Sequence, residues 1–146
     1  MPFVAVVDTN IWVSAFIKPH GYPARLREHW RANRFDVVTC AELLTELAEV
    51  LTRPRLRTKY EYSPEDVTAY LRWMAELANI VKATGELNLC RDPDDDVLIE
   101  TAVLGNATHI VSRDEDITRD ANVARYLEER DIKATTINRF LNILEK

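Results

Sequence analysis

The chain has little of what loosens or staples a fold. Only three glycines and six prolines occur in 146 residues, which leaves little room for linkers or low-complexity tracts, and no internal repeat is found. The two cysteines, Cys40 and Cys90, are widely spaced and form no metal-site pattern. That usage favours two reduced, mostly buried thiols over a disulfide or a zinc role. No apolar run approaches the ~18 residues of a membrane span. The N-terminus lacks the basic-then-apolar plan of a signal peptide, so a cytoplasmic protein with no membrane attachment is expected. There is no Gly-rich phosphate cradle, no nucleophilic Ser or Cys motif and no ligand spacing among His20, His29 and His109.

What is present suits one globular domain over residues 1–146. A chain of this length buries roughly 70% of the surface its unfolded form exposes, and its 47% apolar and 29% charged residues are ordinary. The net charge of −5 argues mildly against tight non-specific nucleic-acid binding, which feeds on phosphate neutralisation. Its distribution says more than its sum. Asp and Glu crowd positions 92–100 and 114–120, whereas Arg25, Arg27, Arg31 and Arg34, and then Arg53, Arg55, Arg57 and Lys59, form basic flanks.

Along the chain, strands and helices alternate. Val4 to Val7 is a short β-branched run ending at Asp8, the pattern of a strand buried on both faces of a parallel sheet. Thr9 or Asn10 can cap the helix that follows, Ile11 to Ile17. After the turn at Pro19–Pro23 come a helix over Ala24–Asn33, a strand over Phe35–Cys40, and a helix over Ala41–Thr52 that Pro54 ends. Ser63-Pro64-Glu65-Asp66 starts a helix running to about Asn79. Ile80 to Ala83 is a short strand candidate, and Leu87–Cys90 is irregular. Asp92 to Asp96 opens a helix reaching about Asn106 that is apolar on nearly all sides, which predicts deep packing. Thr108–Ser112, Val123–Arg130, Ile132–Thr136 and Ile137–Leu144 follow as strand, helix, strand and helix. The pattern predicts an α/β domain: three layers, α/β/α, around a mainly parallel sheet of about five strands.

Two strands share one plan: Val4–Val7 ends in Asp8, and His109–Ser112 ends two residues before Asp114. In a parallel sheet both carboxylates emerge at one edge, where open α/β sheets place their ligands. Asp96, in the first turn of the apolar helix, points to that edge, and Glu46 flanks the Leu43/Val50 face of its own helix. Each acid also has a plain structural use. Asp8 is a natural cap, Glu42, Glu46 and Glu49 form a stripe that reads as a solvated face, and Asp94–Asp96 suit a helix start, so one or two of these three at most are expected to be functional. Agreement among four positions is the signal. Like charges ~4 Å apart cost about 4 kcal/mol at an effective dielectric near 20, so such a cluster needs a cation or bound protons. All-oxygen ligands select Mg²⁺ or Mn²⁺, one ion or two, over zinc, and such ions promote phosphodiester hydrolysis.

These residues resemble the PIN domain, the nuclease domain of VapC-type toxins and related RNA-processing proteins. Val6-Val7-Asp8-Thr9-Asn10, Cys40-Ala41-Glu42-Leu43-Leu44-Thr45-Glu46-Leu47, Arg91 through Ile99, and Val111 through Asp116 resemble its four motifs in order. A Ser usually stands near Cys40, and Thr is commoner than Ser112. The segment Ile117–Arg130 is longer and more polar than the family pattern. The resemblance implies a metal-dependent endoribonuclease, the toxin of a toxin–antitoxin pair, working as a homodimer and held inactive by an antitoxin tail over the acidic site. It implies Asp8, Glu46, Asp96 and Asp114 as ion ligands, Asp116 as an auxiliary acid and Asn10 as a polar support. Arg53 and Arg55 could grip substrate phosphates, although a solvated helix end explains them as well. Two other readings stand beside it: a non-catalytic module that binds RNA or protein on the same fold, and an Asp-phosphorylated receiver-like domain. The latter wants a Lys at the end of a late strand, and the nearest candidate is Lys133.

Overall fold

A computed structural model of the chain describes residues 2–113, 117 and 119–146. The elements run β1 (Val4–Val7), α1 (Thr9–Ile17), α2 (Tyr22–Arg31), β2 (Asp36–Cys40), α3 (Ala41–Leu51), α4 (Pro54–Tyr60), α5 (Pro64–Leu77), β3 (Asn79–Val81), α6 (Pro93–Leu104), β4 (His109–Ser112), α7 (Ala121–Glu129), β5 (Lys133–Thr136) and α8 (Ile137–Leu144). The five strands form one sheet in the order β3-β2-β1-β4-β5, and every neighbouring pair is parallel. The chain builds outward from β1 through β2 to β3, then crosses back to lay β4 on the other side. The order therefore reverses between β1 and β4, which opens a crevice at the carboxyl ends of those strands. There the Asp8 amide donates to the Val111 carbonyl at 2.9 Å, binding the two strand ends together.

Alternation along each strand sends successive side chains to opposite faces. Ala5, Val7, Val37 and Val111 join Ile11, Trp12, Trp30, Leu47, Met74 and Phe140 on one face. Val6, Val38 and Ile110 join Leu98, Ile99, Ala102, Val123 and Leu127 on the other. Helices α1, α2, α3, α5 and α8 thus cover one face and α6 and α7 the other, giving the three layers expected. Each fully buried Ile or Leu in these clusters contributes roughly 1.5–3 kcal/mol. The close fit is visible at Gly105, after α6. A Cβ there would meet a methyl of buried Val38 at 2.2 Å, so the helix turns off the sheet where only glycine fits.

Several boundaries differ from the sequence reading. Asp8, not Thr9 or Asn10, is the cap of α1, accepting from the Asn10 amide. Pro54 ends α3, but it also opens α4 at a helix's first position, where its missing N–H costs nothing. The α5 start is as expected: Ser63 and Asp66 form a reciprocal capping box. Helix α6 is less enclosed than its composition suggests, with Leu104 45% exposed. Both thiols are free. Cys40 is buried and receives the Thr101 hydroxyl at 3.3 Å.

Candidate active site

At the carboxyl edge between β1, α3 and α6 lies a cavity of about 140 Å³ lined by Asp8, Thr9, Asn10, Leu43, Glu46, Asp92, Asp94, Asp95 and Leu98. Each acid arrives for a local reason. Asp8 ends β1 and caps α1, its Oδ1 accepting from Asn10 N at 3.3 Å. Glu46 sits one helical turn beyond Leu43 on α3, so the apolar side that packs Leu43 also carries Glu46 inward. It is half-buried, whereas Glu42 and Glu49 of the same stripe are exposed. Asp92 caps α6 through the Asp94 amide at 3.0 Å. Asp95 shares a helix side with Leu98, three residues on, and both line the cavity.

The electrostatics are those of acids facing acids. Burial pushes the Glu46 carboxyl above the usual range, and the charges of Asp94, Asp8, Glu49 and Asp92 push it further. A glutamate held above its usual range by neighbouring carboxylates favours a nearby cation, and oxygen ligands select a hard one. Among the described residues, no group of three or more His, Cys, Asp or Glu side chains is placed to hold a metal ion. Mg²⁺ does not require such a group, since it keeps several waters and is commonly held by one or two carboxylates plus substrate phosphate.

Asp96, expected as the third acid, does not line this cavity. It is buried, at 6% exposure, and its Oδ1 accepts from the amides of Leu89 at 3.1 Å and Cys90 at 2.7 Å. One turn further along α6, Glu100 receives the amides of Thr84 and Gly85 and the Thr84 hydroxyl. The two carboxylates hold the loop between β3 and α6, leaving Asp95 on the cavity side. Helix phase was the available signal: Asp96 aligns with Glu100 at i, i+4, and Asp95 aligns with Leu98 at i, i+3. Sequence reading missed Asp95, Asp94 and Asp92 as wall residues for that reason. Cys90 sits half-buried beside the anchor, its thiol pushed up to about 12 by burial and by the hydrogen bond with Asp96.

Asn10 lines the cavity, and with Glu46, Asp94 and Arg53 it lines the adjoining groove on the α3 side. Arg55 is exposed on α4 and lines neither. Asp114 and Asp116 lie outside the described residues. Two of the three histidines serve structure: His29 pairs with Glu145 and Arg34, and His109 with Thr108. Lys133 opens β5 opposite His109, the first residue of β4, and so stands at the end of the sheet away from Asp8.

An all-parallel, doubly wound domain with carboxylates gathered at its switch point is the class that fold and site define. Within it, the sequence profile of the PIN domain matches residues 4–116, and the chain belongs to the PIN domain family. An uncharacterized protein of Methanocaldococcus jannaschii is 28% identical over 143 residues, covering 97% of this chain and 91% of its own. The crystal structure of VapBC2 from Rickettsia felis bound to a DNA fragment from their promoter contains a chain of the same fold. The match has a TM-score of 0.58 at 14% identity, over 92% of this chain and 98% of that one. Among the described residues no helix is long and apolar enough to cross a membrane.

Proposed function

We propose that the whole chain is one nuclease domain, a Mg²⁺- or Mn²⁺-dependent endoribonuclease and the toxin of a type II toxin–antitoxin pair. The observation that carries this reading is the meeting of Asp8, Glu46 and Asp95, from three separate elements, in one small oxygen-lined cleft at the switch point. Membership of the PIN family supports the nuclease class and RNA as substrate, and the likeness to a VapBC2 chain is consistent with an antitoxin partner. Homodimer formation and a cytoplasmic location belong to the same proposal.

In this reading Asp8, Glu46 and Asp95 hold one or two divalent ions, with Asp114 and Asp116 added on the sequence pattern alone. When bound, the ion lowers the pKa of a coordinated water and offsets charge on the phosphate. The chain's own residues hold the geometry. Asn10 fixes Asp8 through its amide and offers a polar side chain at the rim. Asp92 fixes the start of α6. Asp96 takes the role of positioning residue, acting through the Leu89–Cys90 backbone rather than on the ion. Arg53 stands where a neighbouring phosphate would emerge along the α3 groove. A receiver-like role is disfavoured by Lys133, at the wrong end of its strand.

The test is cleavage of single-stranded RNA by the purified chain with Mn²⁺, with chelator, and as Asp8→Asn. Metal-dependent cleavage that Asp8→Asn abolishes is expected. Cleavage unchanged by chelator or by Asp8→Asn overturns the reading.

A further inference from the structure

A second cavity, of about 480 Å³, lies away from the acids. Asp8 caps the start of α1, whereas Phe16 and Ile17 in the cavity wall are its last two residues, roughly 12 Å along the helix. Four further aromatic residues line it: Tyr60 from α4, Tyr62, and Tyr70 and Trp73 from α5. The Tyr62 and Tyr70 hydroxyls are already spent on the carbonyls of Leu51 and Trp12, so these residues offer the cavity ring surface.

The charge in this cavity is opposite to that of the acid cleft. Arg27 and Arg31, one turn apart on α2, both line it. Arg27 is held rigidly, its Nη1 donating to the Ala15 carbonyl at 2.7 Å, and Arg31 lies 5.3 Å from the Trp73 ring centre. The two guanidinium groups share one acid, exposed Glu28, at 3.6 and 3.7 Å. The Arg27 Nε is shielded from solvent, so a ligand in the cavity meets this residue through its other guanidinium nitrogens. The acid on the rim, Asp66, is engaged with its own capping box.

We propose that this cavity is a ligand site for a small anion with an aromatic body. The oxyanion, a carboxylate or a phosphate, sits on Arg27 and Arg31, and the ring lies on the wall of Tyr62, Tyr70 and Trp73. Small-molecule sites are typically of this size and carry a few placed polar groups beside ring surface. A rigid guanidinium recognises an oxyanion's paired oxygens better than a flexible ammonium. The proposal stands apart from the nuclease reading, since it uses none of the acids at the switch point.

The experiment titrates the full chain with N-acetyl-phenylalanine, its neutral amide, and adenosine monophosphate, followed by tryptophan fluorescence and calorimetry. Saturable binding of either anion is expected, and which one binds separates carboxylate from phosphate. The neutral amide should bind about tenfold or more weakly, as should the anion to Arg27→Gln and Arg31→Gln. Because Arg27 also braces α1, the exposed Arg31→Gln is the variant that guards against a folding artefact. Asp8→Asn should leave binding unchanged whether or not the protein cleaves RNA. No saturable binding of either anion overturns the site, as does equal affinity for the amide or undiminished affinity in Arg31→Gln.

Discussion

The two sides of α6 carry carboxylates in opposite circumstances. Toward the β3–α6 loop, Asp96 and Glu100 are surrounded by N–H and O–H donors, and the Glu100 carboxyl is pushed down by its bonds from Thr84 and Gly85. Toward the sheet edge, Asp95 and Asp94 share a cleft with Asp8 and Glu46, and there the Glu46 carboxyl is pushed up by burial and by its acidic neighbours. Donors mark an acid that builds structure, whereas acids facing acids mark a place that wants a cation. Asp95 and Asp96 are adjacent in sequence, yet the 100° step of a helix puts them in different chemistry.

The sharpest way to break this contrast is to remove charge without changing shape. Asp8→Asn and Asp95→Asn should each lower Mn²⁺-dependent RNA cleavage by about 100-fold or more. Asp96→Asn keeps an acceptor for Leu89 and Cys90 and should stay within a few-fold of the parent. Equal losses at Asp95 and Asp96 in a steady-state cleavage assay would erase the distinction between the two sides.

Metal should act on only one of them. An ion at about 100 times its Kd adds roughly 2.7 kcal/mol to stability, a rise of several degrees in Tm. Asp8→Asn and Glu46→Gln should lose most of that rise, while Glu100→Gln should keep it. Calorimetry with and without millimolar Mn²⁺ reads the difference.

Deleting the anchor tests the loop side. Asp96→Ala leaves two part-buried amides without their acceptor, at a cost of about 1–3 kcal/mol. Glu100→Ala, on a more exposed carboxylate, should cost roughly 0.5–1 kcal/mol. Chemical denaturation of the metal-free proteins measures both.

The smallest effects are in pH dependence, and they carry opposite signs. Glu46, raised in the fold, contributes stability that is present below the ordinary glutamate pKa and lost as pH rises through its folded value. Glu100, lowered in the fold, contributes stability that is present above the ordinary value and lost as pH falls through its folded one. Metal-free Glu46→Gln should therefore be more stable than the parent at neutral pH, by under about 1 kcal/mol, and Glu100→Gln less stable. Melting curves between pH 4 and 7 that shift the same way for both variants would contradict the assignment.

Much of this protein was legible in its residues. The β-branched runs at Val4–Val7 and His109–Ser112 located the central strands, and their alternation with amphipathic helices gave a parallel sheet. Asp8 at a strand end and Glu46 beside Leu43 both line the cleft. Asp96 lies outside its wall, because a run of three aspartates at a helix start offers three phases, and the loop amides that capture one of them come from residues with no periodic pattern. Arg55, expected as a possible phosphate grip, is exposed on α4 and lines neither the cleft nor the adjoining groove.

By itself the sequence determined the order of elements, the apolar faces and the presence of acids at strand ends. These follow from side-chain period and turn chemistry, which act over a few residues. Only the tertiary structure decided which acids share a cavity and which are consumed by backbone donors, and that Arg27 and Arg31 meet an aromatic wall from α1, α4 and α5. Those outcomes depend on helix phase and on contacts across long sequence separations, where a rotation of one residue exchanges a place in the cleft wall for a place in a loop anchor.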